Sequence, residues 1–317
     1  MRIVVLDDYQ GVALEHGDWS RLPDECEVRT VREHLATDQE LFAALEGAQV
    51  VVAMRERTPL PAERLERLTD LRLLVTTGMG NAAIDVEAAA RNGITVCGTG
   101  GVASATLEHT WALILSLARS VPTEDANVRN GGWQTTVGFD LAGATLGLVG
   151  LGRLGGAMVP VAKAFGMEVI AWSQNLDPET AAEAGARAVS KRELFSESDV
   201  VSVHYKLSER SAGLLGAEEL TLMKRSALLV NTSRGPIVDS AALLDALWLG
   251  RIGGAALDVY DSEPLPPNDP LRQAPHTVLT PHLGYVTGNT YDVFYGEAVE
   301  DIAAFIEGNP VRVLAAP

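Results

Sequence analysis

The chain has 317 residues, 47% of them hydrophobic and 21% charged, enough for about two domains with cores of their own. A formal net charge of -17 argues against a nucleic-acid partner, whose phosphates would be repelled. Two cysteines, Cys26 and Cys97, cannot make a disulfide framework, no Cys/His cluster suggests a metal, and no stretch approaches the roughly 20 apolar residues of a membrane span, so a cytoplasmic protein is expected.

Short β-branched runs alternate with helix-compatible polar sequence, the rhythm of βαβ units and a parallel sheet. In the first hundred residues these runs are Arg2–Leu6, Val50–Met54, Leu73–Thr76 and Ile94–Cys97. A helical pattern from about Ala103 to Arg119, with Leu107, Trp111, Leu115 and Ala118 on its apolar face, leads to a glycine-rich break at Asn130-Gly131-Gly132. A second series of predicted strands follows: Thr145–Val149, Glu168–Trp172, Asp199–His204, Ala227–Thr232, Ala255–Tyr260 and Thr277–Thr280. Asp177-Pro178 reads as a helix cap with proline at the first helical position and Gly185 as the stop, and Asp239 caps a helix over Ala241–Leu249. A last helix, from about Asn289 to Glu307, is expected to pack back on the first unit, because the second sheet is complete without it. The predicted organisation is an outer domain of residues 1–100 plus 287–317, interrupted by an inner domain of residues 101–286.

The run Val149-Gly150-Leu151-Gly152-Arg153-Leu154-Gly155 is a G-x-G-x-x-G loop between a predicted strand and an amphipathic helix. The first glycine allows a tight turn, the second lets backbone approach a pyrophosphate, and the third lets helix pack on strand; the helix N-terminus then offers free N–H groups to the phosphates. In an open parallel sheet ligands bind beyond the carboxyl ends of the strands. The polar residues at those ends are Ser173-Gln174-Asn175, His204-Tyr205-Lys206, Thr232-Ser233-Arg234, Asp258 with Glu263 beyond it, and His282. Taken singly, Arg234 and Glu263 read as solvated surface charges and His282 as a turn residue. An arginine, a carboxylate and a histidine on one edge of a dinucleotide-binding sheet read instead as a chemical set.

These motifs, with Leu229–Asp239, Ala256–Tyr260, Glu263-Pro264-Leu265, Leu279–Gly284, the Thr77-Gly78-Met79-Gly80-Asn81 loop, Ile84-Asp85 and the Glu108-His109 helix, resemble the D-isomer-specific 2-hydroxyacid dehydrogenase family over nearly the whole chain. The resemblance implies two Rossmann-like α/β parallel-sheet domains, a flavodoxin-like outer (substrate-binding) one and a dinucleotide-binding inner one, with an active site in the cleft between them, and a homodimer. It implies that Arg234 binds the carboxylate of a 2-oxo or 2-hydroxy acid, that His282 is the acid/base, and that Glu263 partners His282. It places the cofactor against Gly150, Gly152, Arg153, Leu154, Gly155, Ser173, Gln174, His204, Thr232, Ser233, Asp258 and Gly284. Substrate contacts would come from Arg55, Gly78, Met79 and Gly80 besides Arg234 and His282, the loop offering backbone N–H groups. Arg55 has an equal reading as an ion pair with Glu56 or Glu63.

These roles are chemically coherent. A guanidinium can hold a carboxylate bidentately and polarise the adjacent carbonyl; a histidine exchanges protons near neutral pH, and a neighbouring carboxylate stabilises its charged form and fixes its tautomer. Two departures stand out. Lys206 occupies a position where the family usually has an uncharged residue, close to the expected site with Tyr205 and Tyr285. The strand Glu168–Trp172 ends without the Asp or Glu that usually binds the ribose 2′-hydroxyl of NAD, so the cofactor expectation tilts to NADP, with NAD or dual use open and Asp177 as a second candidate for the ribose. A glyoxylate or hydroxypyruvate reductase is the first reading. A formate dehydrogenase would pair the histidine with glutamine, a long phosphoglycerate dehydrogenase would need a regulatory domain, and a short phosphoglycerate dehydrogenase or a dinucleotide-sensing corepressor remains an alternative.

Overall fold

Runs of Val, Leu and Ile with little polar alternation suit strands covered on both faces by helices. In the computed structural model, which describes residues 1–317, such runs make two parallel sheets in two compact units, Met1–Val102 with Val286–Pro317, and Ala103–Tyr285. The first unit begins with β1 (Arg2–Val5), α1 (Ala13–His16), β2 (Glu27–Thr30), α2 (Asp38–Ala44) and β3 (Val50–Ala53). It continues through α3 (Ala62–Leu65), β4 (Leu73–Thr76), α4 (Val86–Arg91) and β5 (Thr95–Gly98).

The second unit opens on the 16-residue α5 (Ala103–Ala118) and α6 (Val121–Arg129). Then come β6 (Thr145–Val149), α7 (Arg153–Ala164), β7 (Glu168–Trp172), α8 (Pro178–Glu183), β8 (Arg187–Ala188), α9 (Lys191–Glu197) and β9 (Val200–Val203). It closes with α10 (Ala217–Leu222), β10 (Leu228–Asn231), α11 (Ser240–Trp248), β11 (Gly254–Leu257) and β12 (Thr277–Leu279). The chain returns to the first unit in α12 (Gly288–Ile306), which packs on β4 and α1, and in β13 (Val313–Ala315).

The first sheet has the order β13-β5-β4-β3-β1-β2, parallel except for β13. Its parallel part has the flavodoxin-like order 2-1-3-4-5. The second sheet, β12-β11-β10-β9-β6-β7-β8, is parallel throughout, and counted from β6 it has the 3-2-1-4-5-6 order of dinucleotide-binding domains with one strand added at the edge. The direction of winding reverses between β6 and β9, so the carboxyl ends of these two strands flank the crevice where such sheets take ligands. Helix α5 seals one face, burying Trp111, Ile114 and Ala118 against β10 and β11.

Several elements escape a reading of hydrophobic pattern. Strand β2 (EVRT) is an edge strand with alternate exposure, β8 has two residues, and β13 is an antiparallel edge strand beyond the last helix. Helix α6 has no buried residue and leaves Val121 and Val128 exposed. Strand β11 ends at Leu257, short of the predicted Tyr260, because Asp258 turns its side chain into a hydrogen-bond network.

Candidate active site

The glycine loop is shaped by steric need. Gly150 has φ +98°, and a Cβ there would lie 2.6 Å from the carbonyl oxygen of His204. A Cβ on Gly155 would lie 2.1 Å from the Gly150 carbonyl, so helix α7 meets the turn with no room for a side chain. Gly152 differs: nothing lies within 4 Å of its Cβ direction. It is the N-cap of α7 and offers no side-chain cap, so the first N–H groups of this helix face open space. Arg153 is exposed and Leu154 half-buried in the first turn. A cradle too tight for Cβ on two sides and open at the helix end fits a dinucleotide pyrophosphate.

The neighbouring strand ends are partly scaffold. His204 hydrogen-bonds Ser202 Oγ through Nε2 at 2.9 Å, and burial pulls its imidazole down to about 4, so the ring is neutral. It therefore supports the glycine loop from below. Tyr205 stacks on Trp172, its hydroxyl accepts from the Gln174 N–H at 3.4 Å, and its carbonyl accepts from the Ser233 hydroxyl. Ser173 is half-buried, Gln174 and Lys206 are exposed. Asp177 caps α8 through Oδ2, which accepts from the Thr180 N–H at 2.9 Å and hydroxyl at 3.1 Å. The cap reading of Asp177 is present in the structure.

Arg234, Glu263 and His282 follow β10, β11 and β12, three adjacent strands. The turn to Arg234 is closed by buried Asn231, whose side chain accepts from the Ser233 N–H and donates to the Arg234 carbonyl. Gly235 lets this turn press on the next loop, since a Cβ there would lie 2.1 Å from the Tyr260 carbonyl carbon. The Tyr260 N–H donates to Glu263 Oε1 at 3.0 Å, and its hydroxyl to the Thr280 carbonyl at 3.0 Å. Glu263 Oε2 then lies 2.6 Å from His282 Nδ1. The Tyr285 ring meets the imidazole edge-on at 5.6 Å between centroids.

His282 has φ +55°, left-handed backbone that a non-glycine residue keeps only when its surroundings hold it. The holder is Asp258, which is 1% exposed. Its carboxylate accepts from Leu283 N at 2.7 Å, Gly284 N at 2.8 Å, Thr280 Oγ1 at 2.6 Å and His109 Nε2 at 3.1 Å. Burial alone would push this carboxyl up, but the hydrogen bonds from His109, Thr280 and Leu283 outweigh it and hold the acid below its ordinary value. Three of the four donors converge on Oδ1 and one reaches Oδ2. Asp258 thus ties the loop together.

In the first unit Arg55, at φ +49°, donates through Nη1 to the Thr77 carbonyl at 3.0 Å and lies 3.7 Å from Glu56. The Glu56 alternative for its ion pair is therefore present. The guanidinium packs against Gly78, whose φ is +92° and whose Cβ would clash with it. The Gly78 N–H donates to Thr99 Oγ1 at 2.9 Å. Met79 is 55% exposed and Gly80 is exposed, so their amides are the ones left for an anion.

The family model described as D-isomer specific 2-hydroxyacid dehydrogenase, NAD binding domain, matches residues 111–284. The chain belongs to this family. A glyoxylate reductase of Aeropyrum pernix is 42% identical over 259 residues, 78% of this chain and 77% of the relative. A glycerate dehydrogenase of Methylorubrum extorquens is 35% identical over 291 residues, 88% of this chain and 90% of its own. Among solved structures, a phosphoglycerate oxidoreductase of Vibrio cholerae superposes with a TM-score of 0.92 at 34% identity, covering 97% of this chain and 99% of that one. The protein is an NAD-dependent oxidoreductase with 2-hydroxyacid dehydrogenase activity as its class.

In this dehydrogenase the residues that strand-end reasoning passed over are the supports: Asn231, Tyr260, Thr280, His109 and Thr110. One signal was available. His109 and Thr110 directly precede the apolar run Trp111–Leu115, and Thr110 lies on the buried face of the helix, where a polar side chain needs a partner.

Proposed function

We propose that the dehydrogenase reduces a small 2-oxo acid such as glyoxylate or hydroxypyruvate to the D-2-hydroxy acid. The observation that carries this reading is the 2.6 Å contact of His282 Nδ1 with Glu263 Oε2 on the ligand edge of the sheet. The Gly150–Gly155 cradle, with Arg153 and Leu154 in the first helical turn and Ser173 and Gln174 at the adenosine end, would hold the dinucleotide. Thr232, Ser233 and Gly284 lie in the loops that would border its nicotinamide end. A bound nicotinamide supplies a hydride to the carbonyl carbon. Arg234 grips the substrate carboxylate and polarises the neighbouring carbonyl. With Nδ1 engaged by Glu263, His282 gives the proton on Nε2 to the carbonyl oxygen as its π electrons move there, and Glu263 stabilises the imidazolium that donates it. The oxidation runs the same proton backwards. On the first unit, Arg55 and the amides of Met79 and Gly80 are the proposed substrate contacts.

The cofactor reading is NADP or NAD. Ser173 and Gln174, the residues that directly follow β7, carry no carboxylate to repel a 2′-phosphate. The subunit is proposed to be half of a homodimer. Trp133 is 73% exposed and Val137 99% exposed in the extended segment after α6, and a second copy of the chain would cover them.

Steady-state assays of glyoxylate, hydroxypyruvate, phenylpyruvate and 3-phosphohydroxypyruvate against NADH and NADPH test the reading. Turnover of a small 2-oxo acid that is lost in Arg234→Lys and His282→Ala supports it; tight dinucleotide binding with no turnover of any of them makes the protein a sensor instead. Sedimentation of wild type and Val137→Glu tests the dimer.

A further inference from the structure

We infer that His109 and Thr110, neighbours on α5, are a positioning pair that sets the His282 loop and the Arg234 loop against each other. The inference rests on the proposed roles of Arg234 and His282. Successive residues of a helix point about 100° apart, and α5 packs across the ends of β10, β11 and β12, so the pair reaches two loops at once.

His109 Nε2 lies 3.1 Å from both Asp258 Oδ1 and Thr280 Oγ1. Asp258 is acceptor-only, so at their 2.6 Å contact the Thr280 hydroxyl proton goes to it. The proton between His109 and this pair must then belong to His109 Nε2, shared between the two oxygens. Asp258 in turn binds the amides of Leu283 and Gly284, the two residues that follow His282 in its left-handed conformation. Helix α5 thereby fixes the direction in which the imidazole leaves the backbone.

Thr110, fully buried, reaches the other loop. Its one proton goes to the Thr106 carbonyl at 2.7 Å, so in the 2.8 Å contact with Thr232 Oγ1 it is Thr232 that donates. Thr232 opens the turn that Asn231 closes on Arg234. One rigid helix therefore spaces the carboxylate grip from the proton donor. That spacing matters because misplacement of reacting groups by about 1 Å can cost about 10²-fold in rate.

The experiment compares His109→Leu with His109→Gln, and Thr110→Val with Thr110→Ser, using glyoxylate and NADH, alongside His282→Ala and Arg234→Lys. Fluorescence titration with NADH and a thermal melt report binding and folding. In His109→Leu kcat is expected to fall about tenfold or more while KM for the oxo acid stays within about twofold. In Thr110→Val KM for the oxo acid should rise about tenfold with kcat largely kept. The Gln and Ser variants restore the donor and the hydroxyl and should recover most of each loss. If His109→Leu does not fold, Thr280→Val cuts the same link and should show the same loss confined to kcat. Equal losses in kcat and KM in both variants, or Gln and Ser no better than Leu and Val, would overturn the inference. Brace variants that match wild type while His282→Ala and Arg234→Lys are dead remove the brace alone; a fully active His282→Ala removes the site reading beneath it.

Discussion

The carboxylate of Glu263 is held at both ends: Oε2 lies 2.6 Å from His282 Nδ1, and Oε1 takes the Tyr260 N–H at 3.0 Å. The imidazole orientation is thus referred to the backbone of the β11 loop, and the pairing selects the tautomer with Nδ1 protonated. Glutamine at position 263 can still reach Nδ1, but it can present an N–H there and favour the opposite tautomer. Glu263→Gln should therefore fold normally, keep its affinity for NADH, and lose about 10²-fold or more in kcat. Single-turnover reduction of glyoxylate checks this; a variant within about twofold of wild type would show that the carboxylate is not needed.

The glycine loop allows steric strain to be separated from ligand exclusion. In Gly155→Ala the new methyl meets the Gly150 carbonyl at 2.1 Å, a contact that only backbone movement relieves. About 1–3 kcal/mol of stability should be lost, with dinucleotide affinity. In Gly152→Ala the methyl points into open space. Its melting temperature should stay at the wild-type value while the dissociation constant for NADH rises about tenfold, because the methyl occupies the approach to the helix N-terminus. Paired melting curves and fluorescence titrations decide it; equal melting losses in the two variants would contradict the geometry.

The parts of this protein that can be read from its sequence are those whose physics is local. The glycine loop declares itself because each glycine answers a steric demand, and β3 (VVVA) and β9 (VVSV) because both faces of each strand are buried. Arg234, Glu263 and His282 are legible because strand ends are where α/β sheets bind ligands. The hidden part is the set of hydrogen bonds between distant positions. Asp258 collects donors from residues 109, 280, 283 and 284, and no pattern in the chain announces these partners. Likewise the Gly78 N–H goes to Thr99, just past the end of the neighbouring strand β5, a partner set by sheet pairing rather than by spacing. Edge strands such as β2 fail for a related reason, since their residues are only half covered and carry little apolar signal.

Cofactor preference follows from charge at the end of β7. Ser173-Gln174 offers no carboxylate, and Asp177 is bound to Thr180. Ser173→Asp places a negative charge where NAD enzymes bind the ribose 2′-hydroxyl and where a 2′-phosphate would be repelled. The ratio of kcat/KM for NADH over NADPH should rise about tenfold or more, a change of about 1.4 kcal/mol in relative transition-state binding. An unchanged ratio would show that this strand end does not read the ribose.

His204 makes stability depend on pH with a definite sign. Its ring is enclosed under the glycine loop, although the residue as a whole is only half-buried, and burial brings it from 6.5 down to about 4. As pH falls through 6.5 the unfolded chain takes up a proton that the folded chain refuses until about 4, so stability drops across that window and is fully present above it. A shift of this size corresponds to about 3 kcal/mol. His204→Gln keeps an amide near Ser202 but cannot titrate. Urea midpoints of wild type and His204→Gln at pH 7.5 and pH 4.5 isolate the effect, because the carboxylates that titrate in both proteins cancel in the difference. The wild type should lose more stability than the variant on acidification, and parallel losses would mean that the ring is already hydrated in the folded protein.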